Sequence, residues 1–254
     1  MGVEAVQNPA PGRSAVRPRN DPGQYDDLAE HWWNPRGYFA MLHWLAQARG
    51  ALIPPAAAGG GLLVDLGCGG GLLAPHVAAK GYRHVGVDVT ASALARAAGH
   101  GVVPVRADIT AVPLADGCAD VVAAGEILEH VPDLPAALAE ACRLLRPGGL
   151  LVIDTLAATA LARLVAVRLA ERVPGGPPPG IHDPALLVDR AVLLRECSRH
   201  GVDLRLRGIR PSLVDLARWL AHRTESVRMV PLPTTAVLFQ AVGRRRHTPR
   251  SGNG

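Results

Sequence analysis

Glu126, Glu129 and His130 stand close together in Gly125-Glu126-Ile127-Leu128-Glu129-His130-Val131-Pro132. If this segment is helical, their spacing puts two carboxylates and an imidazole on one face. Such a set can hold Mg²⁺ or a similar divalent cation and leave positions open for a substrate. Alternatively His130 serves as a general base, a role that His182 in Gly180-Ile181-His182-Asp183 can fill instead. Upstream, Asp65-Leu66-Gly67-Cys68-Gly69-Gly70-Gly71 is a glycine-rich turn in which Gly67 and Gly69 admit close backbone approach to a ligand and positive φ. Asp88 follows and can accept both hydroxyls of a ribose, while Asp108 is placed to reach an adenine amino group. Each carboxylate also has a purely structural use, Asp88 as a helix cap and Asp108 in a turn.

These residues need strand ends to carry them. Apolar strands are expected at 62–66, 84–88, 102–106, 120–124 and 150–154, with helices at 72–80, 92–99 and 134–145 between most of them. That alternation signals parallel βαβ units and an α/β, doubly wound sheet. A helix over 184–200 and strands near 202–207 and 234–242 complete seven strands. Two short helical stretches in 25–50 carry Trp32, Trp33, Tyr38, Phe39 and Trp44, a helical cap or an aromatic wall. The expected organisation is a flexible leader over 1–22, one catalytic domain over 23–243 with its cap at 23–58 and an insertion at 156–182, and a basic tail over 244–254.

The formal charge of +5 does not point to nucleic acid. Residues 1–21 carry +1 and residues 244–254 carry +4, so 22–243 is neutral and lacks a basic footprint. Four dispersed cysteines without a C-x-x-C pair favour a reducing, cytoplasmic setting over disulfides or zinc. No apolar run reaches the ~18–20 residues of a membrane span. A nicotinamide dehydrogenase is disfavoured, because Leu72 stands where the dinucleotide fingerprint has its third glycine.

The Asp-Leu-Gly-Cys-Gly-Gly-Gly turn, Asp88, Gly125-Glu126-Ile127-Leu128-Glu129-His130 and Arg146-Pro147-Gly148-Gly149 together resemble the class I S-adenosylmethionine (SAM) dependent methyltransferases. More narrowly, Trp32-Trp33-Asn34-Pro35-Arg36-Gly37, Leu42-His43 and Gly180-Ile181-His182-Asp183 echo segments of the ubiquinone-biosynthesis O-methyltransferases in the same order. The resemblance implies a Rossmann-like fold and methyl transfer from SAM to a phenolic hydroxyl of a polyprenyl benzenoid or quinol. It implies SAM contacts at Arg49, Gly67, Asp88 and Gly125, and a catalytic divalent metal at Glu126, Glu129 and His130. Two segments depart from the family: Ala46-Gln47-Ala48 where it has Asn-Pro, and Leu156-Ala157-Ala158 where it has Asn-Arg. They open the alternatives of another small-molecule acceptor, methylated at oxygen, nitrogen or carbon, or of a non-catalytic SAM- or lipid-binding protein.

The 156–173 segment has helical composition, with Arg163, Arg168, Glu171 and Arg172 on about half its circumference. Ala162, Val165, Ala166, Leu169 and Val173 occupy the other half, and Leu161, Leu164 and Val167 interrupt the polar side. It can pack as a lid over the site or rest peripherally on the inner face of a membrane, delivering a lipid-tailed substrate.

Overall fold

The computed structural model describes residues 17–169, 177 and 180–247, with the backbone alone at 167–169. Eight strands form one sheet: β1 (Gly61–Leu66), β2 (Tyr82–Asp88), β3 (Val103–Arg106), β4 (Ala119–Gly125), β5 (Leu145–Leu156), β6 (Val202–Pro211), β7 (Met229–Leu232) and β8 (Leu238–Arg245). Their order is β3-β2-β1-β4-β5-β8-β6-β7. The first five strands run parallel, and β8 enters antiparallel between β5 and β6. The strand order reverses between β1 and β4, which places a crevice at their carboxyl ends.

Helices cover both faces. Val64, Leu66, Val122 and Leu151 pack with Leu138, Leu144, Leu193 and Cys197 of α5 (Leu134–Leu144) and α7 (Arg190–Arg199). On the opposite face Leu63, Val121 and Val152 meet Ile53, Leu73 and Val77, the last in the short α3 (Ala74–Val77). The cap comprises α1 (Gly23–Asp27), a 3₁₀ turn at Ala29–His31 and α2 (Ala40–Leu52). Trp32 stacks on Phe39 at 4.1 Å between centroids, and both join Ala46, Leu72 and Ala93 in one cluster. The aromatic segment is therefore largely core of the cap, with Trp32 also bordering the crevice.

Several expectations change. The sheet has eight strands rather than seven, because β6 runs on to Pro211 and pairs with the edge strand β7, whose Pro231 is tolerable at an edge. The helix expected from 184 begins at Arg190, where the Asp189 carboxylate accepts the Ala191 and Val192 amides. The helix expected over 72–80 breaks into α3 and a 3₁₀ turn at Ala78–Lys80. The short α4 (Ala91–Ala98) and the carboxyl ends of β1 to β4 fall within one residue of their expected places, whereas β5 runs longer than the expected 150–154 and the last strand, expected over 234–242, runs over Leu238–Arg245.

At the termini, residues 17–22 of the expected leader are ordered against the body: Asn20 donates its amide to Gly180 O at 3.1 Å. Arg244 and Arg245 of the expected tail belong to β8, and Arg246 pairs with Asp203 at 2.8 Å. Residues 1–16 and 248–254 lie outside the described residues. Within the insertion, α6 (Ala160–Ala162) continues into a π-helical stretch at Arg163–Leu169, and residues 170–173 lie outside the description. Ala162 and Ala166 are buried against Leu45, Ile209 and Leu238, whereas Leu161, Leu164 and Val165 are exposed. Among the described residues no helix is long and apolar enough to cross a membrane.

Candidate active site

The turn after β1 forms the floor of a cavity of about 260 Å³ at the carboxyl edge of the sheet. Gly67 and Gly69 adopt φ of +65° and +50°. A side chain on Gly67 would overlap Ile127, and one on Gly69 would enter the Trp32 ring. Both positions thus need glycine for conformation and for space.

Asp88, at the end of β2, accepts Gly69 N–H on Oδ2 at 2.9 Å and Thr90 N–H on Oδ1 at 2.8 Å. Burial raises its pKa, and those two amides pull it back. Its carboxylate is fixed at the cavity wall by backbone donors, so the helix-cap alternative gives way to a loop brace that also faces the cavity. Asp108 does make the turn foreseen for it, its Oδ1 accepting from Thr110 N and Oγ1, and it lines the same cavity.

Arg49 reaches in from α2. It is buried and its Nη1 lies 2.5 Å from Asp154 Oδ1 on β5. The guanidinium passes directly over Gly125, where any Cβ would collide with it. All six expected cofactor residues, Arg49, Gly67, Gly69, Asp88, Asp108 and Gly125, therefore line one cavity.

Beyond Gly125 the chain turns sharply. Glu126 has φ of +50°, costly for a residue with a Cβ, and its N–H donates to Asp154 O at 2.8 Å. The following Leu128–His130 is a single 3₁₀ turn rather than an α-helix, so the expected common face does not form. Glu129 points inward and accepts Thr155 Oγ1 at 2.7 Å, with its carboxyl against that of Glu126. The His130 ring stacks on His182, centroids 5.3 Å apart. As a result Glu129, His130 and His182 bring one ligand atom each within 4.8 Å of one another. Of the three residues expected to hold a metal, Glu129 and His130 thus come together with His182, and Glu126 stands beside Glu129.

Burial raises the pKa of both Glu126 and Glu129, Glu126 further because Glu129 and Asp154 face it. Burial also lowers His130 to about 3 and His182 to about 4, so both imidazoles are neutral at neutral pH. Arg49, the cation beside Glu126, is already engaged by Asp154. Burial thus favours the protonated form of the glutamate pair, which a cation placed beside it would ionise.

A second, smaller cavity of about 40 Å³ adjoins the first, sharing Tyr25, Leu42, Glu126 and His130 with it. Tyr38, Phe39, Met41 and Ile181 give it apolar walls, and His182 lines it too.

The sequence of residues 64–153 matches the family described as "Methyltransferase domain". The chain is 36% identical over 214 residues to the ubiquinone biosynthesis O-methyltransferase of Cupriavidus pinatubonensis, spanning 79% of this chain and 86% of that protein. The Leptothrix cholodnii protein of the same name is 33% identical, with 79% and 90% covered. The chain belongs to the ubiquinone biosynthesis O-methyltransferase family. It is accordingly a SAM-dependent methyltransferase. Its fold is shared with a TehB-like SAM-dependent methyltransferase from Corynebacterium glutamicum, at TM-score 0.57 and 18% identity, over 89% of this chain and 100% of that one.

Four further residues of this methyltransferase's site are not marked by any motif in its sequence. Asp154 ends the expected fifth strand, and the rule that ligands gather at carboxyl ends could have flagged it. Thr155 follows it. Tyr25 and Asn20 carried no signal, since their partner His130 lies more than a hundred residues away.

Proposed function

We propose that this enzyme methylates a phenolic hydroxyl of a quinol-type or polyprenyl-benzenoid substrate. The observation that carries this is the junction of the two cavities. One has the glycine turn, Asp88 and Asp108 to bind a nucleoside, the other is apolar and aromatic, and Glu126 and His130 border both. An acceptor oxygen in the smaller cavity would face the methyl donor across these groups. The relatives' names support the substrate class. The departures from the family pattern do not oppose it, because Ala46, Leu156 and Ala157 are buried and line neither cavity.

In this reading Asp88 binds the ribose, Asp108 meets the adenine, and Arg49 and the glycine turn hold the amino-acid end. A sulfonium held beside Glu126 would favour the ionised form of the glutamate pair. The buried oxygens Glu126 Oε1 and Glu129 Oε1 lack hydrogen-bond partners among the described residues, and with two neutral imidazoles nearby the donor set suits a divalent cation. Glu129, His130 and His182, with Glu126 alongside, would hold it; such an ion supplies Lewis acidity that lowers the pKa of a phenol. The chain itself orients the acceptor between Tyr25 and His130 and excludes water with Phe39 and Ile181; with no cation on that set, His130 or His182 would instead take the phenolic proton as a general base. The exposed Leu161, Leu164 and Val165 support a membrane-surface approach for a lipid-tailed substrate.

The test is incubation with methyl-labelled SAM and a prenylated catechol, with and without EDTA, followed by product identification. An O-methyl ether whose yield falls with EDTA is expected. Binding of S-adenosylhomocysteine without methyl transfer to any phenol would overturn the proposal.

A further inference from the structure

Asn20 grips His130 twice. Its Nδ2 donates to the His130 carbonyl oxygen at 2.9 Å, and its Oδ1 lies 2.5 Å from His130 Nδ1. The first bond fixes which way the amide faces, because turning it over would set Oδ1 against a carbonyl oxygen. An amide oxygen can only accept. Nδ1 therefore carries a proton, which in the neutral ring leaves the lone pair on Nε2.

The backbone is arranged for this grip. Asn20 has φ of +60°, a left-handed conformation that asparagine tolerates better than most residues, and its N–H is tied to Gly180 O at 3.1 Å. Gln24 Nε2 reaches Gly180 O as well, and Arg19 Nη1 donates to His182 O at 2.9 Å. The same strap that holds His130 thus anchors the segment bearing His182. Neutral imidazole in water prefers its proton on Nε2, so a protein that needs a lone pair there must supply an acceptor at Nδ1. His130 Nε2 lies 3.4 Å from the Tyr25 hydroxyl, at the junction of the two cavities.

We propose that Asn20 is a positioning residue that locks His130 in the Nδ1–H tautomer, presenting the Nε2 lone pair to the site as proton acceptor or metal ligand. The role of that lone pair rests on the functional reading above; the tautomer does not. In metal sites the partner of the second ring nitrogen sets tautomer and orientation in the same way, and its loss costs roughly 10–100-fold in affinity or activity.

The experiment is a long-range ¹H–¹⁵N correlation spectrum of the histidine rings in the full chain at neutral pH, with His130 assigned by the loss of its signals in His130→Gln. The wild type should show His130 as a neutral Nδ1–H imidazole. Asn20→Leu should move it toward Nε2–H and lower kcat about tenfold while leaving the KM for SAM within about twofold. Asn20→Asp keeps an acceptor and should keep Nδ1–H. A merely structural strap would change thermal stability without changing the tautomer. An Nε2–H signal in the wild type overturns the proposal, as does an unchanged tautomer in Asn20→Leu. Should Asn20→Leu not fold, Nε2–H in Asn20→Asp overturns it equally. Retention of full activity by His130→Gln would instead sink the functional reading and leave the tautomer assignment standing.

Discussion

Arg49 and Asp154 form a buried ion pair, Nη1 to Oδ1 at 2.5 Å, that ties the helical cap to the fifth strand directly above Gly125. One contact thereby sets the roof of the larger cavity, the need for glycine at 125 and the position of the backbone that turns into Glu126.

Breaking that pair from one side leaves a buried charge without compensation. Arg49→Leu should cost ~3–5 kcal/mol of stability. The double variant Arg49→Leu/Asp154→Leu should recover a large part of the loss. Urea unfolding of the wild type, Arg49→Leu, Asp154→Leu and the double variant measures this, and additive losses would show that the two residues do not act as a pair.

The glutamate pair predicts a pH dependence with a definite sign. Burial raises the folded pKa of Glu126 and Glu129 above the ordinary glutamate value, so the folded state binds extra protons and loses stability as pH rises toward and through those raised values. His130 and His182, depressed to about 3 and 4, stabilise the fold above their ordinary value of 6.5 and cease to do so as pH falls below it. Between pH 6.5 and 8 the glutamates act alone within this cluster. In EDTA the melting temperature should fall across that window, by at most about 1.4 kcal/mol of stability per pH unit for each proton released. Glu126→Gln should flatten the slope.

Divalent cation binding should depend on His182. Calorimetric titration with Mn²⁺ is expected to show roughly 10–100-fold weaker binding in His182→Ala and at least as large a loss in Glu129→Gln. Retention of wild-type affinity by His182→Ala would restore the trio of Glu126, Glu129 and His130.

Cofactor binding should depend on Asp88 and Gly69 for different reasons. Asp88→Asn leaves a group of similar size but turns one of the two oxygens that accept Gly69 and Thr90 N–H into a donor, so S-adenosylhomocysteine should bind about tenfold or more weakly and stability should fall by about 1–3 kcal/mol. Gly69→Ala puts a Cβ into Trp32 at positive φ, so stability should fall too, by about 1–3 kcal/mol. Thermal unfolding with and without the ligand separates the loss of binding from the loss of stability.

The sequence made the parallel half of the sheet legible because each strand there is a short apolar run closed by Gly, Pro or Asp, whereas the strand order came only with the structure. It made Asp88 and Gly67 legible because a strand end fixes where they point. The acid–imidazole cluster was legible in composition but not in geometry. Helical spacing predicts one face for Glu126, Glu129 and His130, yet the left-handed Glu126 and the 3₁₀ turn send Glu129 to Thr155 and His130 to His182. Tertiary partners decided both directions, and no local pattern encodes them. For the same reason Asn20, in a stretch without periodicity, read as leader, and Arg244 and Arg245 read as tail. The edge strand β7 is four residues long and includes a proline, which leaves almost no alternation to read.

The most direct test of the account is the fate of the methyl group. After incubation of the enzyme with methyl-labelled SAM, a divalent cation and a prenylated catechol, the account predicts a product carrying the label as a phenolic methyl ether, with His130→Gln and Glu129→Gln both severely impaired. Label found on carbon or nitrogen, or no transfer by an enzyme that demonstrably binds S-adenosylhomocysteine, would contradict it.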